Sequence, residues 1–534
     1  MSLLCNKCRV IQFNDADYDG TVNVWTNGES YFAPKDDGDI TQCLFLDYDL
    51  KDVVPDLPVL SQSAENGCAL CLLIKTEVTK FLQGVELEHA DFFIHKLCYA
   101  MQKHVVDEPP YRPRLHALFV FFRILNRTSG EEDVSWTLRL EIQAEPTDPC
   151  AQWLSIPRQP IQENILSKAG MQRLNELMET ISEIPSLPPA IDDQDLPTRL
   201  IDTGLRGPGI ENEEPRLVVT ADYPPLQNID GDQRYVALSY CWGPPEKAKL
   251  QLTTQTSTLD DRLRQIPFST FPKTHQDAIR LCVFLGVRYV WIDSLCIVQD
   301  DKSDWEREAQ QMGSVYANAF LTVCAAQGDS CLDGFLTRRY PSNSVEVSFA
   351  STLNPSVSGC YSIFASPREY ATVLPLIIGE EFNKHLDFSL LGIYDPYSYD
   401  KECNWNERGW TFQEVVLSQR SLLFGQRMVH VCSGDELIQS EEAIHTTAPE
   451  EVCDSLTEFL SDVLEEDSVE SAKSMFSKWR ELVSEYSHRS FTYQNDILPA
   501  LSALAKIWVE RVGVSQRKHI QHHHGAGLPS QKEA

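Results

Sequence analysis

No run in this chain reaches the length of about 20 apolar residues that a membrane-spanning helix requires. The first residues, Met1-Ser-Leu-Leu-Cys-Asn-Lys-Cys8, lack the charged-then-apolar pattern of a secretory leader. A soluble, cytoplasmic protein is therefore expected. Positive charge is scarce: 46 Lys and Arg stand against 78 Asp and Glu, a net charge of -32. Such a chain offers no basic face for a phosphate backbone, which excludes nucleic acid as the main partner and disfavours an anionic membrane surface. There is no Gly-x-Gly-x-x-Gly turn and no P-loop, so no Rossmann-held dinucleotide cofactor or NTPase site is expected. No repeat array is present.

What the chain does have is enough apolar surface, 42% of 534 residues, for several cores. At roughly 150 residues per domain it holds about three. Its 16 cysteines are scattered, and Cys241, Cys282, Cys296 and Cys324 lie inside apolar runs. Buried free thiols in a reducing compartment look like this.

Three short runs organise the middle of the chain: Tyr235-Val-Ala-Leu-Ser-Tyr-Cys-Trp-Gly243, Tyr289-Val-Trp-Ile-Asp-Ser-Leu-Cys-Ile-Val-Gln299 and Phe320-Leu-Thr-Val-Cys-Ala-Ala326. They are rich in β-branched and aromatic residues and read as buried strands. Two helical patterns separate them. Thr274-His-Gln-Asp277 is placed to cap the first, whose apolar face is Ala278, Leu281, Cys282 and Leu285, with Gly286 as the stop. Ser303-Asp-Trp-Glu306 is placed to cap the second, with Trp305, Ala309, Met312, Tyr316 and Ala319 on one side. Strand and helix in alternation predict parallel pairing through right-handed crossovers, hence a Rossmann-like open parallel α/β sheet.

These runs, followed by Asp304-Trp-Glu-Arg-Glu-Ala-Gln-Gln-Met-Gly-Ser-Val-Tyr-Ala317 and Arg408-Gly-Trp-Thr-Phe-Gln-Glu414, resemble the successive blocks of the fungal heterokaryon-incompatibility (HET) domain. Weaker similarity extends to Leu196-Pro-Thr-Arg-Leu-Ile-Asp202 and to the stretch from Tyr486 to Leu501. The resemblance implies a HET domain over 235–440, with a core at 235–336, an insertion at 341–400 and the Arg-Gly-Trp-Thr-Phe-Gln-Glu block within 405–432. It also implies a role in non-self recognition and programmed cell death, and a remote kinship to Toll/interleukin-receptor (TIR) domains. Protein partners or self-association would carry such a role.

Residues 1–150 read as a β-rich α+β region with flanking helices. Within it, Trp136, Leu138, Leu140 and Ile142 alternate with polar neighbours as in a half-buried antiparallel strand, paired across a loop with 115–125. Two C-x-x-C pairs, Cys5 with Cys8 and Cys68 with Cys71, could supply four thiolates to one structural zinc. The sixty-residue gap between them favours plain packing instead. Residues 151–234 read as a Pro-rich connector with one helix at 171–184. After the core, 441–515 reads as an acidic helical region and 516–534 as a disordered tail.

Ligands of an open parallel sheet bind at the carboxyl ends of its strands. Ser239, Trp242, Asp293, Arg408, Trp410 and Gln413 are the candidates there, with Glu414 arriving in the same later block, although Trp242, Trp291 and Trp410 equally suit core anchors. Glu308 falls inside the apolar stripe of its helix, between Trp305 and Met312, where a carboxylate needs a partner or a raised pKa. An arginine such as Arg288, Arg408 or Arg420 would satisfy it. TIR enzymes use a helix-borne glutamate on the ribose of NAD. Through that kinship Glu308 becomes the candidate catalytic residue and NAD the candidate substrate. A Cys-His arrangement of Cys241 or Cys296 with His275 fits less well, because the thiols sit in apolar runs.

Overall fold

The computed structural model describes residues 3–17, 40–82, 90–103, 114–125, 134–183, 196–205, 213–227, 233–338, 344–365, 404–425, 428–433, 436–441, 479–480, 482–484, 486–506 and 508–509. The first elements are β1 (Ile40–Leu46), β2 (Leu50–Val54), α1 (Pro58–Glu65), α2 (Ala69–Phe81), β3 (Ala90–Lys103), β4 (Arg114–Leu125), β5 (Val134–Gln143) and α3 (Pro149–Trp153). Then come α4 (Lys168–Glu183), β6 (Arg199–Asp202), β7 (Arg216–Val219), β8 (Tyr235–Ser239), α5 (Lys273–Leu285), β9 (Tyr289–Trp291), α6 (Asp293–Cys296), α7 (Lys302–Ala317) and β10 (Leu321–Cys324). The last are β11 (Ser344–Ala350), β12 (Ser358–Ala365), α8 (Gly409–Val416), β13 (Ser421–Phe424), β14 (Val429–Ser433) and β15 (Glu436–Ser440). Short helical turns lie between them.

Two sheets result. The first is antiparallel, in the order β1-β3-β4-β5-β12-β11, with β2 also on β3. Alternation makes one face apolar: Leu118, Val120, Phe122 and Ile124 of β4 and Leu140 and Ile142 of β5 are buried. Helix α2 covers this face with Leu70, Leu73, Ile74 and Val78. The hairpin β11–β12 belongs to the stretch read as an insertion, yet it extends the N-terminal sheet, with Ile363 opposite Ile142.

The second sheet runs β15-β14-β13-β10-β8-β9-β6-β7. Its four middle strands, β13, β10, β8 and β9, are parallel. The flanking pairs are antiparallel, so the sheet as a whole is mixed rather than parallel throughout. Connection length accounts for this. Helices α5 and α7 carry the chain from β8 to β9 and from β9 to β10, whereas β13 and β14 are only a few residues apart. Two strands from the stretch read as a connector, β6 and β7, form one edge.

Both helix starts differ from the sequence expectation. The residue capping α7 is Asp301, whose carboxylate accepts from Ser303 N and Asp304 N. Helix α5 begins after Pro272 with no side-chain cap. Asp277 serves the loop after β10 instead, accepting from Phe335 N and Leu336 N at 3.0 and 3.3 Å. Gly286 does end α5, at a φ of 67° that favours glycine. Trp291 is a core anchor, edge-on to Tyr316 with ring centres 5.7 Å apart.

Helix α8 turns Phe412 and Val416 toward Leu482, Tyr486, Ala500 and Leu504 near the C-terminus. Within the regions read as an insertion, an acidic helical stretch and a tail, residues 366–403, 442–478 and 516–534 lie outside the described residues. Among the described residues, no helix is long and apolar enough to cross a membrane.

Candidate functional site

The carboxyl ends of β8 and β9 meet the segment 404–414 in one hydrogen-bonded cluster. Ser239, the last residue of β8, donates its hydroxyl to Glu414 Oε2 and accepts the Trp405 indole N–H at 2.9 Å. Arg408 Nη1 donates to the Tyr240 carbonyl. The Tyr240 hydroxyl donates to Asp293 Oδ1 at 2.9 Å and accepts from Gln251 Nε2 at 2.7 Å. Asp293 opens α6 and also accepts the Trp242 indole N–H at 2.7 Å and Ser294 N at 2.6 Å. Local sequence explains the placement. β8 ends at Ser239, the chain turns further on at Gly243 with a φ of 100°, and β9 hands over to α6 at Asp293, so both parallel strands carry polar groups at their carboxyl ends.

The electrostatics follow from burial. Burial pushes the Glu414 carboxyl up to about 7, against the opposing pull of Arg408 and the Ser239 hydroxyl. Asp293 is likewise raised by burial, while Trp242 and Tyr240 hold it down. For Arg408, burial works against the charge, but Cys241, Glu414, Asp293 and Tyr240 outweigh it and its pKa is raised. One guanidinium thus stands near two carboxyls, Glu414 buried and Asp293 half-buried. The cluster ties two strand ends to α8, and burial brings the Glu414 carboxyl in it close to neutrality.

Ser239, Trp242, Asp293 and Arg408 gather around Tyr240. Trp410 turns its indole N–H to Asp496 Oδ2, 3.3 Å away on the C-terminal segment. Gln413 is buried with neither amide atom hydrogen-bonded. Sequence reasoning missed Trp405 as a partner of Ser239, and brought Glu414 to the strand ends without assigning it a partner. The helical spacing of α8 placed Glu414 beside Gln413, but nothing local said which of the two would face β8. The Cys-His arrangement gains nothing: burial pushes Cys241 up to about 11 and Cys296 to about 12, and lowers His275 to about 3. His275 packs edge-on against Tyr240, ring centres 5.0 Å apart.

Glu308 points inward from α7 and is 2% exposed. Its partners are Arg199 of β6 at 3.5 Å and Arg307 at 3.3 Å, not Arg288, Arg408 or Arg420. Arg199 also pairs with Asp304 at 2.5 Å and donates to the Cys296 carbonyl at 2.6 Å. Arg288 is engaged by Asp202 at 2.6 Å. β6 lies beside β9, which brings Arg199 under α7. Burial raises the Glu308 pKa, and Arg199 works against it.

The cysteines of both C-x-x-C pairs converge. The four sulfurs of Cys5, Cys8, Cys68 and Cys71 lie within 4.8 Å of one another, with Cys8 and Cys71 at 3.5 Å and Cys5 and Cys71 at 4.0 Å. A tetrahedral ion with bonds of about 2.3 Å would space its sulfurs about 3.8 Å apart. The donor set therefore fits a metal ion. Cys68 is the residue preceding α2 and Cys71 lies in its first turn, while Cys8 opens a turn of 3-10 helix, and Arg9 N donates to the Cys5 carbonyl. Hydrogen bonds from Cys68 and Cys71, then burial, push the Cys8 thiol up. The sixty-residue gap is no obstacle, because β1, β2 and α1 fold back and return the chain to its start.

A mixed α/β chain with a polar cluster at its parallel strand ends and a separate four-thiol group defines a class but not an identity. Residues 235–414 match the family model described as Heterokaryon incompatibility protein (HET), so about a third of the chain is a HET domain. The matched stretch begins with β8 and ends at Glu414. No curated protein and no solved structure matches the chain.

Proposed function

We propose that the chain acts in fungal heterokaryon incompatibility, as a cytoplasmic cell-death signalling module that works through self-association or protein partners. The observation that carries this is the HET match over residues 235–414, whose first strand, β8, is tied through Ser239 to its last residue, Glu414. The unit of function, on this reading, is the core that the strand-end cluster closes, with Ser239, Trp242, Asp293 and Arg408 in the cluster and Trp410 and Gln413 on the same helix, α8, as Glu414. Inducible expression of the full chain in a filamentous fungus, with vital staining of the hyphae, tests it. Hyphae that stay viable while the protein accumulates sink the proposal.

A second reading is NAD hydrolysis by a TIR-like core, with Glu308 stabilising an oxocarbenium-like ribose. Burial and the raised pKa of Glu308 favour it. The pairing with Arg199 and Arg307 favours a structural carboxylate instead. Nicotinamide release from NAD by purified protein, lost on Glu308→Gln, would support the enzyme.

For the N-terminal region we read Cys5, Cys8, Cys68 and Cys71 as ligands of one structural zinc. Soft thiolates in a closed four-fold set suit that ion. Elemental analysis of protein purified without chelators is the check, and absence of zinc ends the reading.

A further inference from the structure

The segment 3–17 does more than supply two thiols. Ile11 and Phe13 are buried among the residues of the first core. The Ile11 carbonyl accepts from the hydroxyls of Tyr99 on β3 and Tyr361 on β12, the latter at 3.0 Å. Both tyrosines are fully enclosed, so that carbonyl is the acceptor that makes their burial tolerable. Four residues on, Asp15 is 1% exposed and accepts from the Trp153 indole at 2.9 Å, from the Ser351 hydroxyl, and from Thr352 N at 2.8 Å. Asn14 takes the Thr352 hydroxyl at 2.8 Å. Ser351 to Leu353 lie in the turn of the hairpin β11–β12, which falls inside the HET match, between β10 and α8.

We propose that the ion bound by Cys5, Cys8, Cys68 and Cys71 is a clasp. By pinning residues 3–17 to α2, it holds Ile11 and Asp15 against the hairpin that the HET domain sends into the N-terminal sheet. This rests on the zinc reading. Two features make the ion the controlling contact. The segment has no strand pairing of its own: its described elements are two short 3-10 turns. Cys5, Cys8, Cys68 and Cys71 are free cysteines, so without an ion no covalent or coordinate bond joins the segment to α2. Release of the metal by chelation would then loosen the hairpin turn at 351–353. The hairpin would keep its strand contact with β5 and lose its anchor at the turn. The N-terminal region thereby becomes a metal-dependent restraint on a segment of the HET domain.

Hydrogen exchange on the full chain, read by mass spectrometry with zinc content measured in parallel, decides this. Chelation of the wild type should remove about one zinc per chain and speed exchange at least about tenfold in peptides covering 3–17 and 345–358. Cys8→Ser should bind no zinc and exchange in the same way. Asp15→Ala should keep its zinc and loosen only the turn around 351–353. If zinc is present and leaves without any change at 345–358, the clasp is wrong while the metal site stands. If the wild type carries no zinc, the metal reading itself falls.

Discussion

Glu414 offers a test whose size and sign follow from the geometry. Its carboxyl is enclosed between the end of β8 and α8, and burial moves its pKa from the ordinary 4.5 to about 7. Below pH 4.5 the group is protonated in both folded and unfolded chains and has no effect on the pH dependence. Between pH 4.5 and 7 the unfolded chain releases the proton and the folded chain keeps it. Stability contributed through this group therefore falls as pH rises across that window, then levels off. A displacement of this size corresponds to roughly 3 kcal/mol. Glu414→Gln keeps an oxygen for the Ser239 hydroxyl and cannot ionise. The stability of the variant relative to the wild type should therefore climb by about 3 kcal/mol between pH 4.5 and 7. Urea denaturation at a series of pH values, followed by tryptophan fluorescence, reads the difference. Other carboxylates cancel in the comparison. A difference that stays flat across the window would mean that Glu414 is already ionised in the folded protein beside Arg408, and the argument would fail.

Other substitutions test neighbouring parts of the account. Arg199→Met removes the guanidinium that Asp304 and Glu308 share, and should lower stability by about 3–5 kcal/mol because it leaves buried charge behind. A shift in the urea midpoint worth less than about 1 kcal/mol would show that Arg307 suffices. Gly409→Ala would place a methyl group inside the Phe491 ring, which packs on Tyr486 with ring centres 5.6 Å apart. The expected cost is about 1–3 kcal/mol, with faster proteolysis confined to 479–509. Proteolysis spread evenly over the chain would contradict that localisation.

Much of the central fold was legible because its signals are local. The apolar runs at 235–239, 289–291 and 321–324 are strands, and the 3.6-residue period put Glu308 inside before any partner was known. What the sequence hid is non-local. Nothing near Ile363 announces Ile142 as its neighbour, so the hairpin β11–β12 read as an insertion although it completes the first sheet. Arg199 lies more than a hundred residues before Glu308, and only the placement of β6 beside β9 brings them together. Asp301 displaced Ser303 as the cap of α7 because its backbone is extended at the point where the helix starts, which a residue pattern alone does not specify. At the candidate site, the polar strand ends were visible in Ser239 and Asp293. Glu414 was expected at those ends with no partner assigned, and Trp405 became visible only through its bond to Ser239.

The central claim is that this HET domain acts through assembly, with Glu308 serving the fold rather than chemistry. Expression of Glu308→Gln in a filamentous fungus, at the same protein level as the wild type, measures it most directly. The substitution leaves the Arg199–Asp304 pair in place. Hyphae should still die as they do with the unaltered chain. Restored growth from a variant that remains folded would contradict the account and return Glu308 to the active site.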